Sequence, residues 1–233
     1  MAAKKTCKLA FDVYGTLIDP SGAGDLLTEI MGDCADAFND LWRSKQLEYS
    51  FRRGLMDLYV DFSTCTEDAL DYTCEATRQA LSADQRASLL ARYTTLPAYP
   101  DAETGLKKTA AQGHRCFAFS NGSKKAVEEL LRKAGLSAYF EGIVSAEDVR
   151  TFKPDPEVYA HFCRKAGAEK SEAVLISANP FDVIGAKAYG MRAVWVRRDA
   201  ETVYDSWGAA PDAVVKDLDG IGEVIREVIG GVL

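Results

Sequence analysis

Hydrophobic and polar positions alternate along this chain in two regimes. In the first, short apolar runs stop at turn-forming residues. Residues 8–13 (KLAFDV) make such a run and lead into Tyr-Gly-Thr. A run of that length, closed by a turn signal, suits a strand buried on both faces of a parallel sheet. The second regime extends from about Asp25 to Leu96. There Phe38, Leu41, Trp42 and Tyr49 recur at helical spacing, while Arg52, Arg53, Glu67 and Asp68 occupy other faces. This stretch predicts helices only, one of them capped at Ser82 or Asp84. It ends at Leu96-Pro97-Ala98-Tyr99-Pro100, where two prolines break the pattern.

Beyond Pro100 the first regime returns, with helices between the strands. Helices are expected over 102–112, 124–134 (stopped by Gly135), 155–166 (following Pro154), 181–189 and 221–229. Strands are expected over 115–119 (RCFAF), 142–145 (GIVS), 173–177 (AVLIS) and 193–196. Strands alternating with helices build βαβ units, hence a parallel sheet covered on both faces. The pattern therefore describes an α/β core interrupted after its first strand by an all-helical insert. No internal repeat or low-complexity segment interrupts it.

Composition narrows the class. The 233 residues are 47% hydrophobic and 27% charged, which excludes wholesale disorder and collagen-like repeats. The net charge of −7 disfavours nucleic acid or an anionic membrane surface as the main partner. It also makes an anionic substrate a puzzle. The N-terminal stretch has an apolar run that is short, contains Asp12 and lacks a small-residue cleavage signature, so it does not read as a signal peptide. No apolar run reaches the roughly 18 residues of a membrane span. Cys7, Cys34, Cys65, Cys74, Cys116 and Cys163 are irregularly spaced without a C-x-x-C, so neither a zinc site nor a disulfide framework is expected. Several have apolar neighbours and read as buried thiols, which fits a cytoplasmic protein. His114 and His161 precede Arg115 and Phe162 at expected element edges, and neither is expected to do chemistry.

Open parallel sheets bind ligands beyond the carboxyl ends of their strands. The first strand ends in Asp12, followed by Tyr14, Gly15 and Thr16. The second ends in Ser120, Asn121 and Gly122, the third leads to Lys153-Pro154-Asp155, and the fourth offers Ser177, Asn179 and Asp182. An aspartate after a strand is ordinarily a turn former or a cap. Four strand ends that together present acid, hydroxyl, amide and ammonium groups are hard to explain structurally.

These segments carry a family resemblance. FDVYGTLID, SNGS, KPDPEVY and ISANPFD together resemble the haloacid dehalogenase (HAD) superfamily, and within it the L-2-haloacid dehalogenases. In the insert, DLWRSKQLEYS resembles that family's cap. The resemblance implies a HAD-like Rossmannoid parallel-sheet core (residues 1–19 and 97–233) with a helical cap domain (20–96) inserted after the first strand. Phosphatases of the superfamily carry a second acid in the first motif, where Tyr14 stands here, and an acidic metal ligand where Ala178 stands. Mg²⁺ requires several hard oxygen ligands, and phosphoryl transfer requires its charge. Asp12 and Asp182 are then the remaining carboxylates, and no metal and no cofactor are expected.

The implied activity is hydrolytic dehalogenation of small 2-haloalkanoic acids and haloacetates, releasing halide and a 2-hydroxy acid with inversion at C2. By the resemblance, Asp12 attacks C2 and forms an ester, and Asp182 activates the water that hydrolyses it. Lys153 orients Asp12 and favours its charged form, with Tyr159 nearby. Thr16, Ser177 and Asn179 hold the acids and the water by hydrogen bonds. Ser120 and backbone N–H groups around Asn121 take the substrate carboxylate, and Arg43 meets the departing halide. Val13 and Tyr14 belong to the same substrate site, and Leu47, Phe62 and Phe181 supply its apolar wall. This chain has Phe152, Ala178 and Phe181 where the family often has Tyr, Ser and Trp. Phe181 reshapes the pocket and so bears on chain length. Homodimers are common in the family, though no stripe of residues specifies one here. Two other readings stay open at this point: a HAD-type phosphatase acting on a small phosphate ester, and a non-catalytic binding protein on the same fold.

Overall fold

The computed structural model describes residues 6–205 and 207–230. Residues 1–5, where the stretch read for targeting begins, lie outside the described residues, as do Ser206 and residues 231–233. Six strands among the described residues form one parallel sheet: β1 (Lys8–Asp12), β2 (Arg115–Ser120), β3 (Gly142–Ser145), β4 (Ala173–Ser177), β5 (Arg192–Val196) and β6 (Ala213–Val215). Their order is β3-β2-β1-β4-β5-β6. Lys8 faces Arg115 on one side and Ala173 on the other, so β1 is central. The strand order turns back there, and such a reversal opens a crevice at the carboxyl ends of β1, β2 and β4.

Period-two alternation sorts β1 between two cores. Leu9 and Phe11 point into a cluster with Val127 and Leu130 of α6 (Lys124–Lys133), Leu106 of α5 (Ala102–Ala111) and Ile225 of α9 (Ile221–Gly230). Ala10 points the other way, toward Tyr159 and Phe162 of α7 (Pro156–Ala166) and Val183 of α8 (Pro180–Tyr189). Both faces are thus covered, as a parallel sheet requires.

Between β1 and β2 come α1 (Gly24–Met31), α2 (Ala35–Leu55), α3 (Phe62–Thr77) and α4 (Ala83–Arg92). Helices α2 and α3 form an antiparallel pair, with Tyr49 against Tyr72 and Arg53 bonded to Asp68 at 2.6 Å. Leu27, Phe38, Trp42, Leu70 and Leu89 give this segment its own core, and the Trp42 indole donates to the Thr66 carbonyl at 2.8 Å. The chain leaves and re-enters the sheet side by side. Asp19 N–H donates to Pro97 O at 2.8 Å, and Tyr99 N–H to Leu17 O at 2.9 Å. Aromatic contacts close the far side, with Phe51 on Phe181 and Tyr59 on Phe152, both at 5.1 Å between centroids.

Strands β3 and β4 lie where the hydrophobic runs place them, and most other elements shift by one residue at an end. Three expectations are corrected, and the choice of cap for α4 is decided. Strand β6 was not expected, because it is three residues long and nowhere buried. Asp155 precedes α7 as its cap, accepting Glu157 N–H at 2.8 Å. Ser82, not Asp84, caps α4, and Gln85 completes a capping box. His161 lies inside α7, buried, with Nε2 3.0 Å from Asp148 Oδ2. His114 borders β2 and accepts the Cys7 N–H at 3.3 Å. None of the six cysteines forms a disulfide. Cys7, Cys65, Cys116 and Cys163 are buried, whereas Cys34 is exposed and Cys74 half-buried.

Candidate active site

Asp12, the last residue of β1, is buried, and its two oxygens are treated differently. Oδ2 accepts from Thr16 Oγ1 at 2.7 Å, Asn179 Nδ2 at 2.8 Å and Ser177 Oγ at 3.3 Å. Oδ1 accepts from Lys153 Nζ at 3.1 Å. The turn after β1 makes this possible. Gly15 takes a positive φ of 85°, which a side chain rarely tolerates, and brings Thr16 back beneath Asp12. Thr16 Oγ1 in turn accepts the Ala178 N–H at 2.8 Å, tying the ends of β1 and β4 together.

Lys153 is 1% exposed, and its ammonium uses all three donors. They go to Asp12 Oδ1, to Asp182 Oδ2 at 2.8 Å and to the Phe119 carbonyl at 2.9 Å. Its backbone N–H donates to Asn121 Oδ1 at 2.9 Å, which fixes the loop to the end of β2. Burial pulls the Lys153 pKa down, but Asp12 and Asp182 outweigh it and the net shift is upward. Lys153 therefore stays charged at neutral pH.

Asp182, in the first turn of α8, is 1% exposed. Its Oδ1 accepts from the Tyr159 hydroxyl at 2.8 Å. Burial is the largest influence on this carboxyl and raises its pKa. The Lys153 ammonium opposes that, the Asp12 charge adds to it, and the net direction is up. Gly185 is a second position where glycine is required, since a Cβ there would meet Pro154 Cβ at 2.7 Å and collide with the Tyr159 hydroxyl. Its absence lets α7 and α8 approach closely enough for Tyr159 to reach Asp182.

A cavity of about 20 Å³, room for a water-sized group, lies over this cluster. The sheet side of its wall comes from Asp12, Tyr14, Ser120, Asn121, Lys153, Asn179 and Phe181. The helical side comes from Arg43 and Leu47 of α2 and Phe62 of α3. Thr16, Ser177 and Asp182 stand behind this wall, bonded to Asp12 or Lys153, and Tyr159 is bonded in turn to Asp182. Val13 is not brought into the cavity. Its side chain is fully buried in the core, and its carbonyl accepts the N–H groups of Thr16, Leu17 and Ile18. Burial pushes the Tyr14 hydroxyl up to about 12, with Arg43 opposing, so Tyr14 is neutral. Ser120 Oγ accepts the Gly122 N–H at 3.0 Å, which keeps its own O–H as a donor.

Sequence reasoning missed Gln46. This residue is fully buried on α2, where its Oε1 accepts from Arg43 Nη1 at 2.9 Å and its Nε2 donates to Thr66 Oγ1. A buried amide is costly unless satisfied. Here both ends are used, and the guanidinium is held on the cavity side of α2. Hydrogen bonds to charged groups are worth about 1.5–3 kcal/mol. Gln46→Leu should therefore lower kcat/KM about tenfold or more, and Gln46→Glu, which keeps the acceptor, should recover most of it. The measurement is steady-state kinetics of halide release by both variants.

A dry pair of carboxylates bridged by one ammonium, at the switch point of a parallel sheet and roofed by helices, defines an α/β enzyme built around two buried aspartates. The model of the haloacid dehalogenase-like hydrolases matches residues 9–190, and the chain belongs to this family of hydrolases. It is 32% identical over 229 residues to the (S)-2-haloacid dehalogenase of Pseudomonas sp. (strain YL), covering 95% of each chain. It is also 32% identical to haloacetate dehalogenase H-2 of Moraxella sp. (strain B), covering 95% of this chain and 99% of that one. Among solved structures, it resembles the L-2-haloacid dehalogenase of Xanthobacter autotrophicus with chloropropionic acid covalently bound. The TM-score is 0.88 at 29% identity, covering 95% of this chain and 98% of that one. No described helix is long and apolar enough to cross a membrane.

Proposed function

We propose that this enzyme hydrolyses (S)-2-haloalkanoates and haloacetates to 2-hydroxy acids and halide, through an ester on Asp12. The observation that carries this reading is the asymmetric hold on Asp12. Three donors immobilise Oδ2, while Oδ1 meets Lys153 alone. Oδ1 is therefore the attacking atom. It bonds to C2 as the carbon–halogen bond breaks, and the halide departs toward Arg43. Attack in line with the leaving group inverts C2, so an (S) substrate gives an (R)-2-hydroxy acid. Water then adds to the Asp12 carbonyl carbon while its proton passes to Asp182. Each oxygen of Asp182 has an acceptor position beyond the bond it already makes. Collapse of the adduct restores Asp12 and expels the hydroxy acid, which takes up a proton.

The substrate carboxylate binds Ser120 and the N–H groups around Asn121, which present donors without adding net charge. Leu47, Phe62 and Phe181 provide the apolar surroundings. Residues 20–96 serve as a cap over a core of residues 1–19 and 97–233 and deliver Arg43 to the site. The enzyme works without a metal, because the Lys153 ammonium fills the space between the two carboxylates where a cation would otherwise balance them. Its six cysteines, none of them in a disulfide, suit the cytoplasm.

The test is halide release from the two enantiomers of 2-chloropropionate, with and without EDTA. Release from the (S) form should be unaffected by the chelator, whereas a phosphatase would release no halide and would lose its hydrolysis of a phosphate ester to EDTA. In a single turnover in ¹⁸O-water, label should enter the Asp12 carboxylate. Label found in the hydroxy acid instead would mean that water attacks C2 directly.

A pH dependence follows from Asp182. It must be ionised to accept a proton, and its pKa is raised. Protonation on acidification then removes the base, so kcat should fall at a pH above the ordinary aspartate value of about 3.9. The Tyr159 hydrogen bond lowers the Asp182 pKa. Tyr159→Phe should therefore move this acid limb further up in a kcat–pH profile.

A further inference from the structure

We propose that a cleft between α3, α4 and α6 receives the alkyl chain of longer 2-haloalkanoates; this rests on the dehalogenase reading above. The site cavity is only about 20 Å³. A second cavity of about 360 Å³ lies beside it. Small-molecule sites occupy roughly 300–1,000 Å³, so the second cavity is large enough to bind a chain. The two share Tyr14 and Phe62 as walls. The rings of these residues lie 6.4 Å apart between centroids and form the partition.

The direction follows from the four substituents of C2. The carboxylate goes to Ser120 and Asn121 and the halogen to Arg43, and Asp12 attacks opposite the halogen. The alkyl group and the hydrogen are left to face the two apolar walls, Leu47–Phe181 and Tyr14–Phe62. Phe51 packs on Phe181 at 5.1 Å and backs the first wall. Behind the second wall lies the cleft, whose lining continues with Leu90 and Tyr93 and includes Ala126 of α6. Gly122, next to the carboxylate loop, also lines it. The lining carries Glu67 and Glu129 against Lys125, so its charge does not attract an anion and its apolar residues select the occupant.

A methylene removed from water contributes about 0.8 kcal/mol, or roughly fourfold in kcat/KM. The experiment measures bromide release from 2-bromopropionate, 2-bromobutanoate and 2-bromohexanoate by the native enzyme and by Ala126→Trp. Position 126 is exposed on α6, so the new ring fills the cleft without entering the core. In the native enzyme kcat/KM should rise along the series by up to about fourfold per methylene. In Ala126→Trp the hexanoate-to-propionate ratio should drop at least tenfold, and Ala126→Leu should give an intermediate ratio. If the series is flat or falls, or the ratio is the same in all three proteins, the cleft does not hold the chain. If 2-bromopropionate itself releases no bromide from the native enzyme, the dehalogenase reading fails and this subsite with it.

Discussion

Asp12→Asn is expected to reduce halide release by about 10⁴-fold or more, the scale on which removal of a nucleophile acts. Volume and shape are almost unchanged by the substitution, so Thr16, Ser177 and Asn179 keep a partner in the same place. What is lost is the charge that Lys153 holds at Oδ1. An amide is a poor nucleophile toward carbon and yields no hydrolysable ester, so the loss should appear in kcat. Multi-turnover halide release checks this, and release at the native rate would remove Asp12 from the chemistry. Circular dichroism should show the fold intact.

Lys153→Met is expected to abolish activity and also to destabilise the protein. Its ammonium is bonded to two carboxylates that are themselves almost completely buried. Removing one partner from a buried ionic cluster typically costs about 3–5 kcal/mol, because the remaining charges are left uncompensated. Here two carboxylates would face each other in a dry site, and one would have to take up a proton. Urea unfolding should therefore show a lowered midpoint. The double variant Lys153→Met, Asp12→Asn should recover part of the loss, since one of the two stranded charges is gone. Additive losses in this cycle would mean that Lys153 and Asp12 are not energetically coupled.

The fold was readable where local chemistry and tertiary environment agree. Residues 173–177 are apolar because both faces of that strand are covered, so the run is unmistakable. Strand β6 lies at the sheet edge with Val214 exposed, and its three residues leave no run to detect. The site was readable for a related reason. In a parallel sheet every strand ends at the same rim, so residues far apart in sequence converge: Lys153 reaches Asp12 from 141 positions away. Gln46 was not readable. It sits among Ser44, Lys45 and Glu48 in a polar stretch of α2 and looks solvent-facing. Only the docking of α3, which brings Thr66 against it, reveals a buried amide bonded to Arg43. Gly185 was hidden similarly, since its need arises from Tyr159 on a neighbouring helix.

The two cations of the site stand on opposite sides of its cavity, Lys153 in the connection between β3 and α7 and Arg43 on α2. In the mechanism proposed above, the negative charge to be moved starts on Asp12, next to Lys153. After ester formation it would be on the halide, on the Arg43 side. That step would transport one electronic charge from the sheet side of the site to the helical segment. That segment is tied to the sheet by two adjacent connections, at 17–19 and 97–99. Halide accumulating in solution would occupy the arriving end of this transfer and oppose it. Product inhibition should accordingly follow the affinity of each halide for a guanidinium rather than the strength of the carbon–halogen bond that released it.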